Sequence, residues 1–151
     1  MSDSFVRLIP NSAVYVPTAD ACRQALEIAR LIIPNVGLVS CQTWDEVQFI
    51  DPGANLERVV CPNCGAEIAV EEWQIWMNSA FLSHFANLAI QTTCCQAETD
   101  LNVLIYDWPA GFARMCLEVH SQEPGSDLTD RAISELERVL GCQLRQVLVH
   151  Y

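Results

Sequence analysis

Hydrophobic and polar residues follow two periods along this chain, one typical of helices and one typical of strands. Between Thr18 and Pro34 the apolar residues recur every three or four positions, which predicts an amphipathic helix. Thr18 or Asp20 can cap its start, and Pro34 ends it. The predicted buried face consists of Cys22, Ala25, Leu26, Ala29 and Ile32.

Two further helices are predicted. Glu71 and Glu72 suit the positive N-terminal end of a helix, and Ser126 or Asp127 can cap another, which Gly141 closes. The aromatic face of the first of these helices is expected to pack in a core, because an aromatic stripe is more often core than a binding site. The faces are Trp73, Trp76, Met77, Ala80 and Phe81 in one helix, and Leu128, Ile133, Leu136, Val139 and Leu140 in the other.

Shorter apolar runs between turn signals predict strands. Asp51-Pro-Gly and the segment Asp107-Trp-Pro-Ala-Gly mark two of the turns. A strand, a helix and a strand over residues 112–149 indicate a right-handed crossover unit. The predicted strands are residues 44–50, 58–61, 67–70, 88–93, 101–106, 112–120 and 144–149.

These elements predict an α+β fold: a mixed β-sheet with helices packed on one face, of ferredoxin-like character. We expect a single domain over residues 1–151, with an inserted zinc-ribbon-like knuckle. The metal-binding excursion is predicted at residues 56–96.

Composition fits one globular domain, with 151 residues of which 51% are hydrophobic. A chain of this length buries enough surface to fold without disulfide staples. All eight positive side chains are arginines. Schiff-base chemistry and a phosphate-loop lysine are therefore excluded.

The negative charge is concentrated in the middle of the chain. Residues 41–110 contain ten acidic residues and the single Arg58, so −9 of the formal charge of −11 lies there. Such a surface attracts basic partners and repels phosphate backbones. We expect a basic protein partner and no nucleic acid, although an acidic surface can also serve solubility alone.

The N-terminal sequence lacks a basic segment followed by an apolar run, and no stretch is long enough to span a membrane. The expected location is cytoplasmic. In that reducing compartment eight cysteines favour metal binding or core positions over disulfides.

The segment Cys61-Pro-Asn-Cys64-Gly65 places two thiolates in a tight turn, where they converge on one ion. It resembles the zinc knuckle of zinc ribbons and rubredoxins, whose Cys-Pro-x-Cys-Gly motif carries the first ligand pair. Zinc is the expected metal, with iron as an alternative.

Cys94 and Cys95 are the candidates for the second ligand pair. Adjacent side chains in a strand point to opposite faces, so both can bind one ion only if the chain turns there. We predict a closed, structural four-thiolate zinc site of Cys61, Cys64, Cys94 and Cys95, because catalytic zinc usually keeps an open position. His84 or Cys41 could replace one of the last two, or only one member of the pair binds.

Cys22, Cys41, Cys116 and Cys142 have no ligand spacing to one another and are predicted to be core thiols. An active site of Cys116, His120 and an acid is conceivable, but no motif positions it. No catalytic residue is therefore predicted.

A longer pattern resembles a group of uncharacterised small bacterial proteins, over residues 56–151. This resemblance implies a shared fold and carries no activity. Its motifs are Cys61-Pro-x-Cys-Gly, Cys94-Cys95, Tyr106-Asp-Trp-Pro-Ala-Gly-Phe-Ala-Arg114, Leu136-Glu-x-x-Leu-Gly141 and His150-Tyr151.

The leading hypothesis is a zinc-stabilised acidic protein that acts by protein–protein interaction, such as an immunity or inhibitor protein against a basic partner. The alternative is a thiol-redox or metal-dependent enzyme that uses the Cys94-Cys95 region.

Overall fold

The computed structural model describes residues 4–121 and 128–151. Within these residues the chain forms three helices and nine strands, which confirms the α+β class. In chain order they are β1 Ser4–Pro10, α1 Ala19–Ile32, β2 Val36–Ile50, β3 Val59–Val60, β4 Glu67–Ile68, α2 Val70–Phe81, β5 Ala89–Gln91, β6 Glu98–Asp100, β7 Ile105–Tyr106, β8 Gly111–Ser121, α3 Asp130–Leu140 and β9 Leu144–His150.

The main sheet has four strands in the order β2-β8-β1-β9. All three neighbouring pairs are antiparallel, where a mixed sheet was expected. Each of α1 and α3 joins two strands that run parallel to each other with another strand between them. This double split β-α-β arrangement is the ferredoxin-like topology.

The strand β1 was not predicted, although it lies inside the main sheet. Val6 and Leu8 belong to the core on one side, and Phe5 and Ile9 to the core on the other. A strand that is covered on both faces has apolar residues on both of its sides, so it lacks the alternation by which a half-buried strand is recognised.

Helices α1 and α3 pack together on one face of the main sheet, as predicted, in a core that includes Leu117 and Leu136. The Thr18 hydroxyl accepts a hydrogen bond from the Ala21 amide at 3.1 Å and so caps α1. Thr129 caps α3 in the same way. The predicted caps Ser126 and Asp127 lie outside the described residues, and Leu128 precedes the helix.

The strand β2 bends, and its continuation crosses to the opposite edge of the sheet. Its register against β8 shifts between Thr43 and Gln48. Beyond the predicted turn at residues 51–53, the Ala54 amide donates to the His150 carbonyl at 2.7 Å, and the His150 amide donates to the Pro52 carbonyl at 3.1 Å. Residues 52–55 therefore cover the edge of β9.

Between β2 and β8 lies a segment that we call the insertion, residues 51–110. It contains α2, a three-stranded sheet in the order β4-β3-β7, and the hairpin of β5 and β6. Its core includes Val59, Ile68 and Leu101, packed against Trp73 and Trp76 of α2. Phe81, predicted on the buried face of this helix, is 62% exposed.

The insertion is attached to the main sheet through Phe112 and Asn102. The Phe112 ring lies 5.0 Å from Phe49 and 5.4 Å from Phe85, measured between centroids. The Asn102 side chain accepts from the Phe112 amide at 2.9 Å and donates to the Asn11 carbonyl at 3.0 Å. Residues 101–104 form turns that serve this contact, so the predicted strand at 101–106 is reduced to β7.

Among the described residues, no helix is long and apolar enough to cross a membrane.

Candidate metal centre

The first cysteine turn connects β3 and β4. The Cys61 amide donates to the Ala66 carbonyl at 2.9 Å, and the Gly65 amide donates to the Cys61 carbonyl at 3.0 Å. Gly65 has φ +77°, a left-handed conformation that glycine adopts without strain. The local sequence therefore suffices to build this turn, which places Cys61 and Cys64 on one side of it.

The second turn repeats the first with different residues. The Thr92 amide donates to the Ala97 carbonyl at 3.0 Å, and the Gln96 amide donates to the Thr92 carbonyl at 3.0 Å. Gln96 has φ +60°, although it is not glycine. By this pattern Thr92 takes the position of Cys61, and Cys95 takes that of Cys64.

The comparison of the two turns explains how adjacent cysteines reach one place. Cys95 occupies the ordinary second position of the turn, while Cys94 stands where the first turn has Asn63. Because the chain turns at residues 93–95 instead of extending, the two side chains are not forced to opposite sides. The chain therefore turns at Cys94 and Cys95, as the sequence analysis required for both cysteines to share one site.

The four predicted cysteines come together. Their sulfur atoms all lie within 4.8 Å of one another. Cys61 Sγ is 3.8 Å from Cys95 Sγ, and Cys64 Sγ is 3.4 Å from Cys94 Sγ. Four sulfurs bound at about 2.3 Å to one tetrahedral ion lie about 3.8 Å apart. The observed spacing therefore fits one ion held by four thiolates.

The cluster lies at the surface of the insertion. Cys61 is fully buried, Cys95 is half-buried, and Cys64 and Cys94 are exposed. The Thr93 hydroxyl donates to the Glu72 carboxylate at 2.7 Å, which ties the second turn to the first turn of α2. The cluster thus lies beside the N-terminal end of that helix.

Hydrogen bonds favour the thiolate form of two of the cysteines. The Thr92 hydroxyl and the Asn63 side-chain amide lower the pKa of Cys95 to about 6. The backbone amide of Cys64, with that of Asn63, outweighs burial and lowers the pKa of Cys61. Both thiols are therefore prepared for the charged state that a metal requires.

Cys64 shows the opposite behaviour. The backbone amide of Ala66 lowers its pKa, but the neighbouring Cys94 and the other thiols of the cluster outweigh this and raise it to about 12. Negative charges at this spacing repel one another. A divalent cation would offset the repulsion and deprotonate the ligating thiols.

Sequence reasoning missed two residues of this site, Asn63 and Thr92. The Asn63 side-chain amide lies 3.2 Å from Cys95 Sγ, and the Thr92 hydroxyl lies 3.4 Å from it. Thr92 could have been found, because it precedes Cys95 by three residues, as Cys61 precedes Cys64.

The alternative ligands lie elsewhere. His84 Nδ1 is 3.4 Å from a Glu46 carboxylate oxygen, and it follows α2 in a left-handed conformation. Cys41 packs against the core of α1 and α3, where burial, followed by its hydrogen bond with Cys22, raises its pKa. Among the described residues, the group that could hold a metal consists of the four predicted cysteines alone.

Among the residues that the structure describes, no catalytic arrangement forms around Cys116. The His120 ring nitrogen Nε2 lies 3.1 Å from the Glu118 carboxylate, which also accepts from Arg7 at 3.1 Å. Burial raises the pKa of the Cys116 thiol to about 12. Cys116 is thus a core thiol, as predicted.

Searches of protein-family models, curated proteins and solved structures found no match to this chain. The resemblances to zinc ribbons, rubredoxins and small bacterial proteins therefore rest on the motifs alone. The structure shows four clustered cysteines that could hold a metal ion.

Proposed function

We propose that Cys61, Cys64, Cys94 and Cys95 bind one zinc ion, and that this ion is structural. The observation that carries the proposal is the distance of at most 4.8 Å between any two of the four sulfurs. Four thiolates leave no coordination position for water or substrate, which is typical of structural zinc. Iron can also occupy four thiolates, and metal analysis distinguishes the two.

The ion would join two turns that are 30 residues apart at Cys64 and Cys94. Structural zinc binds with an apparent free energy of about 10–16 kcal/mol, as much as the total stability of many domains. Because thiolate ligands require reduced cysteines, a reducing compartment such as the cytoplasm suits this site.

We further propose that the protein acts by binding a basic protein partner, in the manner of an inhibitor or immunity protein. The structure supports this in the exposure of the insertion's acidic residues. Arg58, its only arginine, already pairs with Asp107 at 3.2 Å. Most of the other carboxylates face solvent, namely Asp45 and Glu46 just before the insertion and Glu57, Glu67, Glu71 and Glu98 within it.

The insertion also exposes apolar side chains that could anchor such a partner. Val70 and Ile75 on α2 are 49% and 67% exposed, beside the acidic Glu71 of the same helix. Interfaces typically combine an apolar centre with a polar or charged rim. A partner with basic residues around an apolar patch would match this composition.

The test is native mass spectrometry of the full chain recovered from its own host without chelator. A mass increment of one zinc ion, together with a stoichiometric basic protein, supports both proposals. A chain without metal overturns the zinc proposal. A zinc-loaded chain that captures no basic protein at low salt overturns the interaction proposal. The proteins offered are those of the host lysate and a panel of toxins encoded by neighbouring genes.

Charge variants make the interaction test sharper. Glu67→Gln combined with Glu98→Gln removes two exposed charges from strands that flank the cysteine turns. We expect slower association and a weaker salt dependence. The matched control is Glu27→Gln with Asp130→Asn, which removes two exposed charges from α1 and α3 and should leave binding unchanged.

A second candidate is thiol-redox activity, favoured by the exposure of Cys64 and Cys94 with 3.4 Å between their sulfurs. Hydrogen peroxide could oxidise the two thiols to one disulfide, taking two electrons and two protons and leaving as two water molecules. Thiol counting distinguishes the candidates. Fast-reacting thiols in the metal-loaded protein favour redox activity, and their appearance only after chelation favours structural zinc.

A further inference from the structure

The two edges of the main sheet differ in how they are covered. At one edge, residues 52–55 hydrogen-bond to β9. At the other edge lies β2, whose residues Val39–Thr43 pair in regular register with β8 on their inner side. Within residues 4–121 and 128–151, no backbone group of Val39–Thr43 has a partner on the outer side.

The free edge of β2 lacks two of the usual protections against pairing, and its register irregularities lie outside Val39–Thr43. Exposed edge strands are commonly protected by charged residues, most often lysine, or by proline. Residues 36–44 contain neither. Leu38, within this stretch, is 69% exposed. The register against β8 is irregular between Val36 and Val39, so the regular segment available for pairing with another strand is Val39–Thr43.

We propose that this edge pairs with the same edge of a second copy of the chain, antiparallel and centred on Cys41. A two-fold axis at that residue places Val39 opposite Thr43, and Ser40 opposite Gln42, in both directions. Each copy then satisfies the backbone groups of the other, and the two four-stranded sheets join into one of eight strands.

Charge at this edge does not oppose a second copy, although the whole chain carries −11. The nearest carboxylate along β2 is Asp45, four residues from the proposed axis. The two copies of Asp45 would lie eight residues apart along the strands, which is about 26 Å. This exceeds the screening length of about 8 Å at physiological salt, so their repulsion is small.

The same register brings apolar groups together. Continued by one residue at each end, where the register with β8 becomes irregular, this pairing would bring Leu38 near Trp44 of the second copy. Trp44 is only half-buried within its own chain. Aromatic and aliphatic pairs across antiparallel strands stabilise sheets. The neutral edge and its exposed leucine thus fit a copy of themselves.

The experiment is sedimentation equilibrium of the full chain, purified without chelator, from micromolar to millimolar concentration. A reducing agent prevents a Cys41 disulfide from imitating the pairing. We expect a concentration-dependent equilibrium between a 16.9 kDa monomer and its dimer. A single monomeric species over the whole range overturns the proposal.

Two double variants test the register. Ser40→Lys with Gln42→Lys places lysine opposite lysine twice, and we expect dimerisation to weaken by about tenfold or more. Ser40→Lys with Gln42→Glu places lysine opposite glutamate twice, and we expect the dimer to form at least as well as in the unmodified chain. Both side chains lie on one face of β2, so the variants are matched.

The outcomes separate this inference from the proposed function. A dimer that neither variant affects, or that both weaken equally, overturns the pairing through β2. Circular dichroism checks that both variants fold, and the unmodified chain decides the question of dimerisation without them. The binding of a basic partner by the insertion is measured independently and does not depend on this result.

Discussion

The main sheet and the insertion reach a stable core by different means. The strands of the main sheet have 7 to 15 residues, and cores lie on both of its faces. The strands of the insertion have only two or three residues. Isolated hairpins of that length are marginal in water. The cysteine cluster lies in the region where strand pairing is weakest.

This difference indicates how an acidic, loop-rich segment can be kept folded. The insertion cannot bury much apolar surface through its short strands, and four of its eight carboxylates are exposed. The proposed metal cross-link between the two turns would supply stability without requiring more core. The four experiments that follow test this division, from the largest expected effect to the smallest.

Metal removal should affect the insertion far more than the main sheet. Chelation, or Cys61→Ser, should remove a contribution of the order of 10 kcal/mol from the insertion. We expect the amides of β3 to β7 to lose protection in hydrogen exchange, while those of β1 and β8 keep theirs. Cys142→Ser, which changes a half-buried thiol outside the cluster, serves as the control. Equal protection in both regions after chelation would refute the division.

A cavity in the core of the main sheet should destabilise the main sheet and leave the metal site of the insertion intact. Leu136 on α3 is fully buried in the core between the helices and the sheet. Leu136→Ala should lower the free energy of unfolding by about 2–5 kcal/mol, measured by denaturant titration, and leave metal content unchanged. Leu31→Ala on α1, where the side chain is 83% exposed, should change it by less than about 0.5 kcal/mol. A loss of metal in Leu136→Ala would show that the two regions are coupled.

The stability of the main sheet should depend on pH through the buried thiol of Cys116. Burial raises the pKa of Cys116 in β8 from 9.0 to about 12, so the folded state holds this proton more tightly than the unfolded state. Its contribution is complete below pH 9 and is lost as the pH rises towards 12, by at most about 1.4 kcal/mol per pH unit. Denaturation at increasing pH measures this slope, which should be smaller in Cys116→Ala. An unchanged slope would mean that other groups account for it.

The two cysteine turns offer the finest comparison. Gly65→Ala imposes a left-handed conformation on alanine and should cost about 1–2 kcal/mol of the stability of the insertion. A side chain at this position meets no other atom within 4 Å, so backbone strain alone is tested. Gln96→Gly removes the same strain from the second turn and should stabilise it by up to about 1 kcal/mol. Thermal unfolding of the metal-loaded variants measures both changes, and shifts of the same sign would contradict the equivalence of the turns.

Several features of the fold could be predicted because their signals are local. Thr18 and Pro34 frame α1, and Gly141 ends α3 in a left-handed conformation with φ +75°. The cap of α3 was misplaced because several residues upstream of the helix can also accept hydrogen bonds. Which of these residues becomes the N-cap depends on where the packing of the helix against the sheet places its first turn.

The strand predictions failed where burial or a neighbouring element overrides the local pattern. The strand β1 is covered on both faces and shows no alternation. Residues 101–104 are apolar enough for a strand, but Asn102 bonds to Asn11 and Phe112 and holds the segment in turns. Neither contact is visible in a window of neighbouring residues.

The candidate site divides in the same way. Cys61, Cys64 and Gly65 indicate a candidate metal-binding turn from the local sequence alone, because proline and glycine at these spacings build the turn from backbone geometry within six residues. That Cys94 and Cys95 complete the cluster depends on a turn at a non-glycine residue and on the approach of two hairpins across α2. Local chemistry therefore determines ligand types and caps, whereas strand order and the meeting of distant turns follow from how the whole chain packs its apolar surface.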